Sequence, residues 1–324
     1  MGQMIEGRWV AEDLPPASTA DGAFRRRESA FRNRIAPEDP RFPPEAGRYH
    51  LYVSLACPWA HRTMIFRVLK GLEGMIGLSV THWLTAEQGW SFAPGAGVVP
   101  DPLHGAATLH EIYARADARY SGRVTVPVLW DSRHGTIVNN ESAEIIRILN
   151  DAFDPLGAVP GDYYPAPLRA EIDAVNERVY ATLNNGVYRC GFARTQAAYD
   201  AAVHPLFATL DWLEERLARQ PFLCGDRITE ADWRLFTTLI RFDAVYHGHF
   251  KCNLRRLAEY PNLSDFTRSL YQVPGIAATC DFEHIRRHYY ESHRSVNPSG
   301  IVPAGPVLDF ATPGSRTALA TPAG

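Results

Sequence analysis

The stretch LYVSLACPWAHRTMIFR, residues 51–67, constrains this chain more than any other. A strand-like run leads into a cysteine, then a proline, then an amphipathic helical pattern. Proline is favoured at the first helical position, where its missing N–H would have no partner anyway. Pro58 therefore predicts a helix start and makes Cys57 its cap. A sulfur there faces unpaired backbone N–H groups and the positive end of the helix dipole. His61 and Arg62, in the first turn, add positive potential. Such settings lower a thiol pKa by about one to several units, and the thiolate is the nucleophile.

The surrounding pattern fits that junction into a fold. A strand is expected at Tyr49–Leu55. A helix follows from Pro58 to about Leu72, with Ile65, Val68, Leu69 and Leu72 on one face. Leu78–Trp83 reads as a second strand and 86–105, rich in Gly and Pro, as a loop. Ala106–Asp117 reads as a helix. VTVPVLWD (124–131) is a strand interrupted at its start by Pro127, and GTIVN (135–139) is another strand. NESAEIIRILN (140–150) is a helix opening at Asn or Glu, with Ile145, Ile148 and Leu149 inward. The order β-α-β-insert-β-β-α predicts a thioredoxin-like α/β domain with a mixed four-stranded sheet. GAVPGDYYPAP (157–167) reads as a linker. Beyond it lie helical stripes, Ile172, Val175, Val179, Leu183 and then Leu206, Leu210, Leu213, Leu217. Thr229 and Asp232 form a capping-box variant, flanked by Ile228 and Trp233 at staple positions. The expected division is an N-terminal extension (1–47), a thioredoxin-like domain (48–156), an all-helical domain (157–295) and an irregular tail (296–324).

Composition excludes some function classes. A net charge of -3 and a pI near 6.5 argue against nucleic-acid or membrane-surface partners. No run approaches the roughly 18 apolar residues of a membrane span. The start, MGQMIEGRWV, lacks an apolar signal core. The five cysteines (Cys57, Cys190, Cys224, Cys252, Cys280) are odd in number and scattered, as reduced cytoplasmic thiols are. His284 and His288 stand four apart, but no Glu follows the first as in a zinc-protease helix. Neither this pair nor His247-Gly248-His249 is expected to hold a metal.

Where a dithiol enzyme carries its second cysteine, this chain has Ala60. A mixed disulfide on Cys57 must then be resolved by an outside thiol, and glutathione is the abundant candidate. Val126 precedes Pro127; a cis peptide there turns the Val126 backbone outward, able to pair with an extended peptide. Asn140-Glu141-Ser142 opens a helix. A helix N-terminus with a Ser hydroxyl suits a carboxylate and a Glu suits an ammonium, although in isolation the motif reads first as plain helix capping.

The runs RYHLYVSLACPWAHR, GWSF, SGRVTVPVLWD, NNESAEIIR, NNGVYRCGFA, RFDAVY, HFKC and HIRRHYY occur in order between about residues 40 and 303. Together they closely resemble the glutathionyl-hydroquinone reductases, the xi class of glutathione transferases. The resemblance implies reduction of a glutathionyl-hydroquinone. Cys57 attacks the glutathione sulfur, the hydroquinone leaves, and a second glutathione resolves the disulfide. It also implies a glutathione site at Trp90, Arg123, Val126, Glu141 and Ser142. It places an aromatic site at Tyr188, Tyr246 and Tyr289, with Tyr188 and Tyr289 as proton-delivering phenols. A cytoplasmic homodimer without metal is expected. The rival expectations are an omega-like thioltransferase or dehydroascorbate reductase using the same Cys57, and a non-catalytic binding protein on a transferase fold.

Overall fold

The computed structural model describes residues 2–11 and 19–316; residues 12–18 of the extension and 317–324 of the tail lie outside the described residues. The chain divides into two interleaved compact units. Among the described residues, the first comprises 2–11, 27–160 and 283–292, the second 19–26, 161–282 and 293–316.

In the first unit, strands β1 (Gln3–Ile5) and β2 (Arg8–Val10) form a hairpin. Its turn residues Glu6 and Gly7 both have positive φ, 46° and 76°, the two-residue turn whose twist matches its strands. Strand β3 (Tyr49–Val53) is wholly buried and is followed by helix α1 (Pro58–Leu69) and strand β4 (Ile76–Val80). Then come helix α2 (Leu109–Ala116), strands β5 (Val128–Asp131) and β6 (Thr136–Asn139), and helix α3 (Ser142–Asp151). The sheet order is β4-β3-β5-β6, with β3 parallel to β4 and antiparallel to β5. This is the mixed thioredoxin-like sheet that the element order predicts.

Two expectations need correction. The second strand is Ile76–Val80, not Leu78–Trp83. On α1 the buried run is Ala60–Phe66, while Val68 and Leu69 are only half-buried. The strand begins early because Gly77 receives the His50 ring: a Cβ there would stand 2.3 Å from His50 Nδ1. His50 Nε2 and Ser79 Oγ are 2.8 Å apart. Beside it, Arg48 makes a two-point ion pair with Asp131, 2.7 Å at each contact, where Tyr49 faces Asp131 across β3 and β5. Such a buried fork fixes register as well as charge.

The second unit is helical: α4 (Arg169–Val179), α5 (Gly186–Gly191), α6 (Gln196–Leu217), α7 (Glu230–Arg241) and α8 (Pro261–Tyr271). All eight stripe leucines, valines and isoleucine named from the sequence are buried. The Thr229–Asp232 capping box forms, with Asp232 Oδ2 taking the Thr229 N–H at 2.7 Å. The segments Tyr180–Asn184 and Phe242–Tyr246 each wind as a wider π-turn, a feature often found at functional sites. Helix α9 (Phe282–Ser292) lies, from Glu283 on, with the first unit.

Burial pushes the His50 imidazole down to about 4, against the charge of Asp101, which acts to raise it. The unfolded chain protonates near 6.5 (roughly) and the folded chain does not. Stability is therefore full above about pH 6.5 and falls toward pH 4, by up to about 3 kcal/mol. Urea midpoints across that range are expected to fall less steeply for His50→Asn than for the wild type. In the second unit, a Cβ at Gly191 would stand 2.1 Å from Phe250 Cδ1. Gly191→Ala is expected to cost about 1–3 kcal/mol through overpacking. Thermal unfolding and the near-ultraviolet dichroism of the aromatic cluster measure it; an unchanged midpoint would contradict this packing.

Candidate active site

Cys57 occupies the cap position of α1 in extended conformation (φ −80°, ψ 121°), with Pro58 as the first helical residue, but its side chain makes no capping hydrogen bond to the helix N–H groups. Its N–H donates to Ser54 O at 3.2 Å and its carbonyl accepts from His61 N at 2.9 Å. The thiol is half-buried, and Sγ lies 3.7 Å from the Val126 carbonyl oxygen. The Val126–Pro127 peptide is cis, as expected, and Val126 is buried. The structure thus brings Cys57 and Val126 together. His61 and Arg62, also buried, lie in the first turn of α1. Arg62 reaches Ser142 Oγ at 3.4 Å, linking the starts of α1 and α3, and its guanidinium stands 4.6 Å from the Trp59 ring centre.

Glu141 is the cap of α3; its carboxylate accepts from Ala143 N at 3.2 Å. Ser142 follows it, buried, as the first helical residue. Arg123 is half-buried and its carbonyl accepts the Tyr120 hydroxyl at 2.9 Å. The β1–β2 hairpin docks next to it, Met4 and Gly122 exchanging backbone hydrogen bonds at 2.8 and 3.0 Å. Trp90 stacks on His288, ring centres 4.9 Å apart and 21° between planes. Tyr289, the next residue on α9, is buried in this same unit.

The two α9 histidines hold the loop after β4. His288 Nδ1–H donates to Trp83 O at 2.7 Å, and His284 Nε2–H to Ala96 O at 2.6 Å. Trp83 Nε1 in turn donates to Glu291 at 3.0 Å. The four-residue spacing serves this loop. Among the described residues, no three His, Cys, Asp or Glu side chains gather as a metal set.

In the second unit Tyr188 and Tyr246 meet, ring centres 6.1 Å apart, in a cluster with Phe192 and Phe250. Sequence reading missed Arg26. Its guanidinium lies 4.9 Å from the Tyr188 ring centre, and its Nε donates to Asn185 Oδ1 at 3.0 Å. It also missed Ser29, whose hydroxyl donates to Glu141 Oε2 at 3.0 Å. No local period marks either residue, since each partner is more than a hundred positions away.

Three of the other cysteines are held toward the protonated thiol by burial. Burial pushes Cys224 up to about 12, Cys280 to about 11 and Cys252 well above the ordinary thiol value. Only Cys57 sits at the start of a helix behind a strand.

Comparison with known proteins accords with this arrangement. The glutathione S-transferase N-terminal domain family matches residues 56–152 and the C-terminal domain family residues 196–269. The glutathionyl-hydroquinone reductase of Sphingobium chlorophenolicum is 57% identical over 306 residues, 94% of this chain and 96% of that protein. That of Escherichia coli is 51% identical over 324 residues, 98% of each. The glutathione-bound structure of a glutathione transferase homologue from Escherichia coli superposes with a TM-score of 0.90 at 50% identity, covering 97% of this chain and 99% of that one. The glutathione-S-transferase Xi of Phanerochaete chrysosporium gives 0.87 at 52% identity, covering 90% and 95%. The chain belongs to the glutathionyl-hydroquinone reductases, the xi class of the glutathione transferases.

Proposed function

We propose that this protein reduces glutathionyl-hydroquinones to hydroquinones at the expense of glutathione. The observation that carries the reading is Cys57 at the α1 start, with Ala60 where a resolving thiol would stand and Val126 O at 3.7 Å. The Cys57 thiolate attacks the glutathione sulfur of the conjugate and forms a mixed disulfide. The carbon–sulfur bond breaks, its electron pair passes to the ring, and the ring takes a proton. A second glutathione attacks the mixed disulfide, giving oxidised glutathione and regenerating Cys57. Net, one thioether and one thiol become one disulfide and one aromatic C–H.

In this reading Val126 pairs with the glutathione backbone and Arg123 takes its glycine carboxylate. Trp90 offers an apolar plane beside the peptide. Ser142 and the α3 N–H groups take the γ-glutamyl carboxylate, and Glu141 the ammonium. Tyr188, Tyr246 and Tyr289 serve the hydroquinone, with Tyr188 and Tyr289 delivering the proton and stabilising charge on the departing ring. The protein works as a cytoplasmic homodimer, with the functional division at about residue 157.

Release of hydroquinone from its glutathionyl conjugate, with excess glutathione, is expected for the wild type and absent for Cys57→Ala. Tyr188→Phe and Tyr289→Phe are each expected to slow kcat by about a hundredfold, the lower end of what one general acid contributes, since two phenols share the task. Turnover of disulfides with no release of hydroquinone would instead favour an omega-like thioltransferase. Silence on both would favour a binding protein.

A further inference from the structure

The N-terminal extension carries a residue aimed at the start of α3. Residues 29–33 run antiparallel to 138–141. Asn33 N donates to Val138 O at 2.9 Å, Asn140 N to Phe31 O at 3.1 Å, and Phe31 N to Asn140 Oδ1 at 3.1 Å. Arg32 faces Asn139 in a bridge and its Nε donates to Glu144 Oε2 at 2.7 Å. Asn139 closes the set, giving its Nδ2–H to Asn33 O at 2.9 Å and taking the Glu141 N–H at 2.7 Å. Ser29 is thereby delivered to Glu141 by backbone pairing two residues away. Its hydroxyl reaches Glu141 Oε2 at 3.0 Å, with the Asn140 carbonyl second at 3.3 Å. The other carboxylate oxygen, Oε1, takes Ala143 N at 3.2 Å.

We propose that Ser29 is a positioning residue for ligand recognition: it locks the Glu141 carboxylate in the orientation that receives the α-ammonium of a γ-glutamyl ligand. The proposal rests on the reading of Glu141 given above. A glutamate side chain has several rotamers, and ordering it costs free energy that a ligand would otherwise have to supply. With one oxygen tied to α3 and the other to Ser29, that ordering is complete before the ligand arrives. Each oxygen keeps a lone pair for the ammonium.

The probe is S-methylglutathione, a thioether bound by calorimetry, alongside its N-acetyl derivative, which has no ammonium. Ser29→Ala is expected to weaken S-methylglutathione by about three- to tenfold, a fraction of one charge-assisted hydrogen bond. It is expected to leave binding of the N-acetyl derivative unchanged. Ser29→Thr, which keeps the hydroxyl, is expected to bind both as the wild type does. Equal loss with both probes would reduce Ser29 to a structural clasp and overturn the proposal, as would no loss with either. Glu141→Gln separates the two levels: if it binds S-methylglutathione as tightly as the wild type, the ammonium site itself is misassigned and the proposal falls with it.

Discussion

A helix that begins with proline after an extended residue leaves that residue one outlet. At Cys57 both backbone groups are spent, the N–H on Ser54 and the carbonyl on His61. The side chain stands at the helix start without a capping hydrogen bond, its Sγ 3.7 Å from the Val126 carbonyl oxygen. The rest of the first unit serves to hold that geometry. β3 is buried along its whole length between β4 and β5, so the strand feeding Cys57 cannot shift. The Arg48–Asp131 fork fixes where β3 starts against β5. The same β5 is entered through Val126–Pro127, so register at one end of the strand pair sets the Cys57–Val126 approach at the other. The packing of α1 on α3, with Arg62 reaching Ser142, extends the constraint to the second helix start.

Three of the cysteines show how environment, and not residue type, sets the balance between thiol and thiolate. Burial in apolar surroundings disfavours the thiolate, and Cys224, Cys252 and Cys280 are held protonated well past neutrality. Cys57 is half-buried and has the helix mouth on one side. In the second unit the aromatic cluster is made dense by absence of a side chain. Gly191 lets α5 approach Phe250 closely enough that Tyr188, three residues earlier, meets Phe250 and Tyr246 in one group. Tyr246 closes the π-turn Phe242–Tyr246, and its ring stacks on Phe250.

What was legible in the sequence was local. The Cys57–Pro58 junction, the interrupted strand at Pro127, the α3 cap, the helical stripes and the Thr229–Asp232 box each depend on residues within one or two turns. Errors came where a distant partner decides. The start of β4 looked unlike a strand because Gly77 breaks the pattern, and Gly77 is there for the His50 ring. The strand looked as if it ran to Trp83 because Thr81 and Trp83 are residues that favour strands, while Trp83 belongs to the loop that α9 holds. The β1–β2 hairpin is only three residues a side, and Glu6-Gly7 is not one of the common turn pairs. Ser29 and Arg26 carry no signal of their own, since their meaning lies in pairings across more than a hundred residues.

On the proposed reading, the contact between Cys57 and Val126 gives ligand binding a chemical consequence. In the structure the Val126 carbonyl accepts from the Cys57 thiol, and an acceptor favours the protonated sulfur. The helix start works in the opposite direction, favouring the thiolate. A peptide that pairs with the Val126 backbone brings its own N–H to that carbonyl and weakens its hold on the thiol. The thiol then shares its acceptor, and the preference of the helix dipole for the thiolate weighs more. Occupancy of the glutathione site and the acidity of Cys57 are thereby linked through one carbonyl, whose two lone pairs a peptide N–H and the thiol then share.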